Sequence, residues 1–251
     1  MLNIIAHGAI REINLARAPV NALNLELLQA LRAAIDDNVR GGAQGIVLSG
    51  APGLFSAGVD IPALLACDLQ GVRTYWKEFF AVCASLARAP IPLVAAVTGH
   101  SPAGGAVLAL FCDYRVMAQG AFKIGLNEVQ VGLMVPECIQ FALRRVVGSH
   151  RAERLLVAGT MLESGAALEC GYVDELVEVD KVVARATSWL EELLSYPQHA
   201  MLATREVARH DLASVFADPD ALRVDEFSDA FMHPATQTVL QQWMAARKKK
   251  S

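Results

Sequence analysis

Two glycine-containing segments could bind a developing negative charge. Segment 55–61 follows an apolar strand and precedes a short helix, and Gly58 allows the backbone to turn sharply between them. Segment 99–105 stands between a second apolar strand and a helix that begins at Gly104. The first N–H groups of a helix lack an intrahelical acceptor and stabilise an anion. Two such helix starts brought together would form an oxyanion hole, although each alone also fits an ordinary strand-to-helix turn.

A third segment, 124–136, contains a single ionisable residue, Glu128. Its neighbours in sequence are apolar and include Leu126, Val129, Val131, Leu133 and Val135. Burial of a lone carboxylate among apolar side chains raises its pKa, which makes it a better general base near neutral pH. The pattern predicts a desolvated base, and a surface or ion-paired glutamate is the alternative interpretation.

A serine nucleophile is a second possibility in segment 99–105. Gly99 and Ser101 fit the Gly-x-Ser-x-Gly elbow of serine hydrolases, whereas Ala103 stands where the last glycine is needed. Such an enzyme also needs an acid and a histidine later in the chain. The later histidines lie in polar, helical stretches and are His150, His199 and His210. The hydrolase hypothesis predicts that Ser101→Ala abolishes activity.

The elements around these segments alternate as in an α/β protein. Hydrophobic periodicity predicts strands at 3–6, 10–15, 46–48, 92–97, 114–118, 121–124 and 173–177. It predicts helices at 25–39, 75–87 and 104–111, and after residue 135 at 136–147, 149–157, 164–169, 179–194, 197–212, 217–231 and 234–246. Only one strand, 173–177, is expected after residue 135. The layout predicts an α/β core followed by a helical C-terminal part.

Composition excludes several classes of protein. The chain has 251 residues, of which 54% are hydrophobic and 19% charged, with a net charge of −4. Disordered chains combine low hydrophobicity with high net charge, and nucleic-acid binders carry a basic excess, so neither class fits. Apolar runs such as Gly104–Cys112 reach about half of the roughly twenty residues that a membrane helix needs. The small apolar residues are therefore expected in the core or at subunit interfaces.

Cysteines and histidines give no sign of disulfides or metal ligation. The five cysteines are widely spaced, without a Cys-x-x-Cys pair, which favours free thiols in a reducing compartment. The six histidines lack His-x-x-x-His spacing, so no metal site is expected. Segment 1–15 has no apolar region typical of a signal peptide, and we expect a cytoplasmic location.

Taken together, the motifs resemble those of the crotonase (enoyl-CoA hydratase/isomerase) superfamily. The segments that carry this resemblance, in order and spacing, are Pro19-Val-Asn-Ala-Leu23, Phe55-Ser-Ala-Gly-Val-Asp60, Pro102-Ala-Gly-Gly-Ala106, Cys112-Asp-Tyr-Arg115 and Gly125-Leu-Asn-Glu-Val-Gln-Val-Gly-Leu133. The residues of several of these segments, and those of Tyr75-Trp-Lys77, are similar to the corresponding segments of the Δ3,Δ2-enoyl-CoA isomerases within the superfamily.

The resemblance implies an α/β fold in which repeated ββα units form a spiral, followed by a C-terminal helical region. Residues 1–195 would form the spiral core with the CoA-binding and catalytic site. Residues 196–251 would form a helical trimerisation region. A homotrimer or a hexamer is implied as the assembly.

The resemblance also assigns roles to residues. Glu128 would be the catalytic base, and the N–H groups of Val59 and Gly104 would form the oxyanion hole for the thioester oxygen. The residues implied to bind CoA or substrate are Val20, Ala57, Gly58, Asp60, Ile61, Gly105 and Asn127, and the Ala57 carbonyl would contact the adenine. Segments 72–80 and 135–141 are candidates for the wall of the acyl-tail pocket.

The activity implied is on acyl-CoA thioesters, with no cofactor besides the CoA of the substrate. Hydratases of the superfamily use a second glutamate three residues after the second oxyanion donor, where this chain has Val107. We therefore expect an isomerase of fatty-acid oxidation, in which Glu128 alone moves a proton from C2 to C4 of a 3-enoyl-CoA. A hydratase, an acyl-CoA hydrolase and a non-catalytic acyl-CoA-binding protein are the alternatives. Glu137 leaves the participation of a second carboxylate open.

Overall fold

Two sheets form the centre of the α/β core in the computed structural model, which describes residues 1–248. The last three residues of the predicted C-terminal region, 249–251, lie outside the described part. The strands are β1 (Leu2–His7), β2 (Ile10–Leu15), β3 (Gly45–Ser49), β4 (Gly53–Leu54), β5 (Leu93–Val97), β6 (Gly99–Pro102), β7 (Tyr114–Ala118), β8 (Lys123–Gly125), β9 (Met161–Glu163) and β10 (Glu175–Val177).

The larger sheet has the strand order β1-β2-β3-β5-β7-β10, and the smaller one β4-β6-β8-β9. In the larger sheet only β1 runs antiparallel to its neighbour, and in the smaller one only β9 does. Parallel strands covered on both faces are apolar throughout, which explains the uniform burial of β3 and β5.

The helices are α1 (Leu25–Arg40), α2 (Ile61–Leu65), α3 (Leu69–Arg88), α4 (Gly104–Leu110), α5 (Glu137–Val147), α6 (Ser149–Ala158), α7 (Ser164–Glu169), α8 (Val182–Leu194), α9 (Gln198–Ala208), α10 (His210–Ser214), α11 (Val224–Met232) and α12 (Pro234–Lys248). Within residues 1–248, none of them combines the length and apolarity that a membrane crossing needs.

A repeated ββα unit generates both sheets. The pairs β3–β4, β5–β6 and β7–β8 each place their first strand in the larger sheet and their second in the smaller one. Helices α2 and α3, helix α4, and helix α5 follow these pairs in turn. The predicted α/β fold of repeated ββα units with a helical C-terminal region is confirmed.

Several predicted elements were wrong in detail. The expectation of one strand after residue 135 is wrong, because β9 is present as well as β10, and β4 and β6 were missed. Strands of two to four residues are too short for an alternating pattern to be visible in sequence. The helix expected at 217–231 begins only at Val224, because Arg223 takes the left-handed conformation with φ +49°.

The C-terminal helical region lies against the core of its own chain. Arg205 of α9 donates to both carboxylate oxygens of Asp113 at 2.8 Å and to the Ala89 carbonyl at 2.7 Å. Helix α11 packs on α3, where the rings of Trp76 and Phe227 meet edge to face with centroids 4.5 Å apart. Asp113 precedes β7 and Ala89 precedes β5, so α9 lies at the starts of these strands, whereas α11 lies on α3.

Candidate active site

The two glycine segments meet at one place in the structure. A Cβ atom built on Gly58, whose φ is +81°, would lie 2.8 Å from the Pro102 carbonyl oxygen and 3.1 Å from the Gly104 nitrogen. A Cβ on Gly104 would lie 3.3 Å from the Val59 nitrogen. Because glycine has no Cβ, the two backbones approach closely here, which brings the N–H groups of Val59 and Gly104 together.

The first of these donors, the Val59 N–H, takes no part in the hydrogen bonds that hold its loop. Ala57 donates its N–H to the Val20 carbonyl at 2.9 Å, and Asp60 donates its own to the Leu23 carbonyl at 3.1 Å. No acceptor among the described residues bonds the Val59 N–H. The loop is therefore fixed on both sides of a free donor.

The second donor, the Gly104 N–H, opens α4 and has no intrahelical acceptor for that reason. Ala103 before it has φ +47°, a strained conformation for a residue with a side chain. The Ala103 N–H donates to the Gly125 carbonyl at 2.8 Å. This bond ties the start of α4 to β8, the strand that leads to Glu128.

Glu128 begins the 3-10 turn Glu128–Val131 shortly after β8. Its Oε2 atom is buried and has no hydrogen-bond partner among the described residues. Burial raises the pKa of Glu128 to about 7, and hydrogen bonding by its own backbone N–H opposes this only in part. The predicted desolvation of the carboxylate is confirmed, whereas its role as a base stays a prediction.

A cavity of about 70 Å³ joins the two donors and the carboxylate. The predicted site residues that line it are Ala57, Val59, Ile61, Gly104, Asn127 and Glu128. The other lining residues, mostly apolar, are Trp76, Phe79, Pro102, Ala103, Val107, Val131, Leu133, Pro136, Ile139, Phe227 and Trp243. Among these described lining residues, Glu128 carries the only carboxylate.

The remaining predicted binding residues do not line this cavity; they are Val20, Gly58, Asp60 and Gly105. Val20 is exposed, and a Cβ built on Gly105 would lie 2.9 Å from the buried Ser101 hydroxyl. Contact of these residues with CoA stays a prediction, as does that of the Ala57 carbonyl with the adenine.

Asp60 has a local structural task. Its carboxylate accepts from the Ala63 N–H at 3.1 Å, which caps the N-terminus of α2. The same carboxylate pairs with Arg17 at 2.8 Å. Asp60 thereby fixes the loop that carries Val59, and Arg17 is held at the edge of the same loop.

Val107 and Glu137 bear on the number of carboxylates in the site. Val107 lines the cavity and is 1% exposed, so the position three residues after Gly104 is occupied by a buried aliphatic side chain. Glu137 is exposed and lines two separate cavities beside α5, not the one that holds Glu128. The geometry therefore leaves Glu128 alone with the paired donors.

The walls of the cavity were predicted only in part. Segments 72–80 and 135–141 supply Trp76, Phe79, Pro136 and Ile139, in agreement with the prediction for the acyl-tail pocket. Sequence reasoning missed Phe227 of α11 and Trp243 of α12. The one available signal was the presence of large aromatic residues in the amphipathic C-terminal helices, which equally fits ordinary core packing.

The serine-nucleophile alternative has no support in the geometry. Ser101 is fully buried, and its hydroxyl has no hydrogen-bond partner among the described residues, so no histidine activates it. Ser101 also does not line the cavity with Glu128. Within the described part of the chain, no three histidine, cysteine or acidic side chains cluster as metal ligands would.

Comparison with known proteins decides the family. The model of the enoyl-CoA hydratase/isomerase family matches residues 6–250. The chain belongs to this family, the crotonase superfamily. It is 32% identical over 249 residues to the mitochondrial enoyl-CoA delta isomerase 1 of Mus musculus, covering 97% of this chain and 85% of the mouse protein. It is 30% identical over 229 residues to a probable enoyl-CoA hydratase of Mycobacterium avium, covering 89% and 87%.

Solved structures agree with the crotonase fold. The crystal structure of human mitochondrial Δ3,Δ2-enoyl-CoA isomerase superposes with a TM-score of 0.94 at 29% identity, covering 100% of this chain and 99% of the human one. An enoyl-CoA hydratase/isomerase of Mycobacterium paratuberculosis superposes with a TM-score of 0.87 at 25% identity, covering 96% and 97%. Family membership implies that the chain acts on acyl-CoA thioesters.

Proposed function

We propose that this member of the crotonase superfamily is a Δ3,Δ2-enoyl-CoA isomerase that shifts a 3-enoyl-CoA double bond to the 2-trans position. The observation that carries the proposal is the pairing of one buried carboxylate, Glu128, with two converging N–H donors, Val59 and Gly104, in a single apolar cavity. The similarity to the mouse and human isomerases is in keeping with it.

The reaction follows from this arrangement. The thioester oxygen accepts from the Val59 and Gly104 N–H groups, and Glu128 removes a proton from C2. The electron pair moves through C1 onto the oxygen. Removal of one hydrogen-bond donor of an oxyanion hole typically raises the activation free energy by about 3–4 kcal/mol. The carbonyl then re-forms between C1 and the oxygen, and the electrons between C1 and C2 move to form the C2–C3 double bond. The electrons of the original C3–C4 double bond take the proton from Glu128 at C4, which regenerates the carboxylate.

The raised pKa of Glu128 suits a group that must both take and return a proton. A carboxylate at its ordinary pKa would be a weak base towards a carbon acid, whereas one near 7 is matched to neutral pH. Below pH 7 the carboxyl group becomes protonated and loses its function as a base. We therefore expect kcat to rise with pH through about 7 and then to level off.

Hydration is the second candidate activity, because the Mycobacterium avium relative is named a probable hydratase. Addition of water across a double bond is favoured by a second acid–base group to position the water. Val107 occupies the place of that group and is apolar, which favours isomerisation. Thioester hydrolysis and acyl-CoA binding without turnover are the other outcomes that an experiment must separate.

The test is a panel of 3-enoyl-, 2-enoyl- and dienoyl-CoA thioesters of several chain lengths, assayed with the wild type and Glu128→Gln. We expect turnover of the 3-enoyl substrates and a loss of 10²–10⁴-fold in kcat on removing the general base. Ser101→Ala serves as a control and should retain activity. Undiminished 3-enoyl isomerisation in Glu128→Gln would exclude Glu128 as the base, and binding without turnover of any substrate would favour a non-catalytic member.

We further propose a homotrimer or hexamer, with part of region 196–251 at the subunit interface. This rests on the family resemblance and on the excess of small apolar residues, and light scattering of the purified protein tests it. The cytoplasmic location also stays a prediction, because the mouse and human relatives are mitochondrial by name. Fractionation of cells that produce the native chain decides between the two locations.

A further inference from the structure

A second cavity lies behind the one that holds Glu128. It has a volume of about 160 Å³, and the residues that line both cavities are Pro136 and Phe227. Besides these two, the second cavity is lined by apolar residues, Met134, Val135, Ala221 and Leu222, and by polar ones, Glu137, Gln140, Arg144 and Arg223. The two cavities are therefore neighbours separated by one proline ring and one aromatic ring.

Phe227 is held firmly in this wall. It is 3% exposed, and its ring meets Trp76 edge to face at 4.5 Å and Phe80 at 6.3 Å. Edge-to-face aromatic contacts fix ring orientation as well as burying area. Phe227 belongs to α11, and its backbone N–H donates to the Arg223 carbonyl at 3.0 Å in the first turn of that helix.

The volumes set the length of chain that fits. The cavity beside Glu128, at about 70 Å³, has less than half the volume of the second one, at about 160 Å³. With its thioester at the paired donors, a short acyl chain would end at the Phe227 ring. A chain of twelve carbons would have to pass the Phe227 ring into the second cavity.

We propose that Phe227 is the specificity-determining end wall of the acyl cavity, so that the substrates are short-chain 3-enoyl-CoA thioesters and the second cavity is closed to them. This inference rests on the proposed function and names the substrate class of the same site. Removal of the Phe227 ring would join the two cavities and allow substrates with longer acyl chains to bind.

The experiment compares kcat/KM for 3-hexenoyl-CoA and 3-dodecenoyl-CoA in the wild type, Phe227→Leu and Phe227→Ala. The wild type should prefer the hexenoyl substrate. The dodecenoyl-to-hexenoyl ratio should rise at least about tenfold in Phe227→Ala, the low end of what a change in an apolar pocket achieves. Phe227→Leu should shift it in the same direction with less risk of unfolding. Addition of Ala221→Trp to either variant should lower the ratio again by refilling the second cavity.

Phe216→Ala is the matched control. Phe216 is a buried phenylalanine of the same helical region, 5.5 Å from Phe111, and it does not line either cavity. Its truncation costs similar packing and should leave the substrate ratio unchanged. A wild type that turns over both lengths equally, or an unchanged ratio in both Phe227 variants, would overturn the inference.

Failure of the proposed function gives a different result from failure of the end wall. Isothermal titration calorimetry measures the affinity for hexanoyl-CoA and dodecanoyl-CoA. Both ligands are saturated, so their binding is measured independently of isomerase activity. If no 3-enoyl-CoA is isomerised but dodecanoyl-CoA binds tightly only to the Phe227 variants, the wall stands and the isomerase proposal fails. Equal affinity of the wild type for both ligands contradicts the wall whatever the activity.

Discussion

Two carboxylates that are largely shielded from solvent have opposite surroundings in this protein. Asp113 accepts two hydrogen bonds from Arg205 at 2.8 Å and one from the Leu93 N–H at 2.8 Å, and it pairs with Arg209 at 3.2 Å. Glu128 has a buried oxygen without any hydrogen-bond partner in the described part of the chain. One charge is fully compensated and the other is not.

The difference separates a structural group from a chemical one. A buried charge that is paired and hydrogen-bonded fixes the elements that carry its partners, and here it fixes α9 and α10 to the core. An uncompensated buried carboxylate lowers stability when it is charged, and such groups cluster where proton transfer is needed. The comparison predicts that changes at Asp113 affect folding and that changes around Glu128 affect chemistry.

Breaking the compensated site should have the largest effect on stability. Asp113→Asn leaves Arg205 and Arg209, both largely shielded from solvent, without a counter-charge, which we expect to lower the free energy of unfolding by about 3–5 kcal/mol. Urea denaturation followed by circular dichroism measures the loss. Asp37→Asn is the control, because its pair with Arg40 is exposed and worth less than about 1 kcal/mol. Equal losses in the two variants would contradict the structural role of Asp113.

Filling the space at the oxyanion donors should affect chemistry instead. In Gly104→Ala the new methyl group lies 3.3 Å from the Val59 nitrogen, where the thioester oxygen must bind. We expect kcat to fall by about 10²–10³-fold, as for loss of one oxyanion donor. Gly165→Ala in α7 is the matched control, because nothing lies within 4 Å of its added Cβ. Steady-state kinetics with 3-hexenoyl-CoA distinguishes the two, and similar rates in both variants would argue against the paired donors.

The sequence allowed much of this chemical site to be predicted because its parts are local. Gly58, Gly104 and Glu128 each lie between a predicted strand, at 46–48, 92–97 or 121–124, and the helix that follows it, so local patterns place them without long-range information. The burial of Glu128 could likewise be read from its apolar neighbours. The family resemblance supplied the roles of Val59 and Gly104 that spacing alone left open.

The structural site and the end wall could not be predicted in the same way. Asp113 meets Arg205 across 92 residues of chain, and Phe227 reaches Trp76 from another helix. Such pairs depend on how the helical region folds back over the core, and no local pattern specifies that angle. The strands β4, β6 and β9 were missed for a related reason, since strands so short are defined by their partners.

The uncompensated charge should have a measurable cost in stability that depends on pH. Burial raises the pKa of Glu128 to about 7 from an unfolded value near 4.5, so the folded state holds the proton more tightly. The contribution of Glu128 to stability is then most favourable below pH 4.5 and is lost as pH rises through about 7, by up to about 3 kcal/mol. Glu128→Gln removes this loss. Its free energy of unfolding should exceed that of the wild type at pH 8 and approach it near pH 4.5.

Paired urea titrations of the wild type and Glu128→Gln at several pH values test whether the difference in their free energies of unfolding grows as pH rises. Only the difference between the two proteins is compared, because other groups titrate equally in both. A difference that stays constant between pH 4.5 and pH 8 would mean that the Glu128 carboxyl group is not desolvated in the folded protein.

Substitution of a third carboxylate, Glu137, should have the smallest effect on kcat. It tests whether Glu128 is the only carboxylate that takes part in the reaction. Glu137 is exposed at the start of α5 and lines the second cavity, not the one that holds Glu128, so it is neither paired like Asp113 nor desolvated like Glu128. Surface substitutions of this kind change free energies by about 0.5 kcal/mol or less, which corresponds to roughly twofold in rate. We expect Glu137→Gln to keep kcat for 3-hexenoyl-CoA within that range. A tenfold loss would instead place a second carboxylate in the reaction and reopen the hydratase hypothesis, because water addition is the chemistry that needs one.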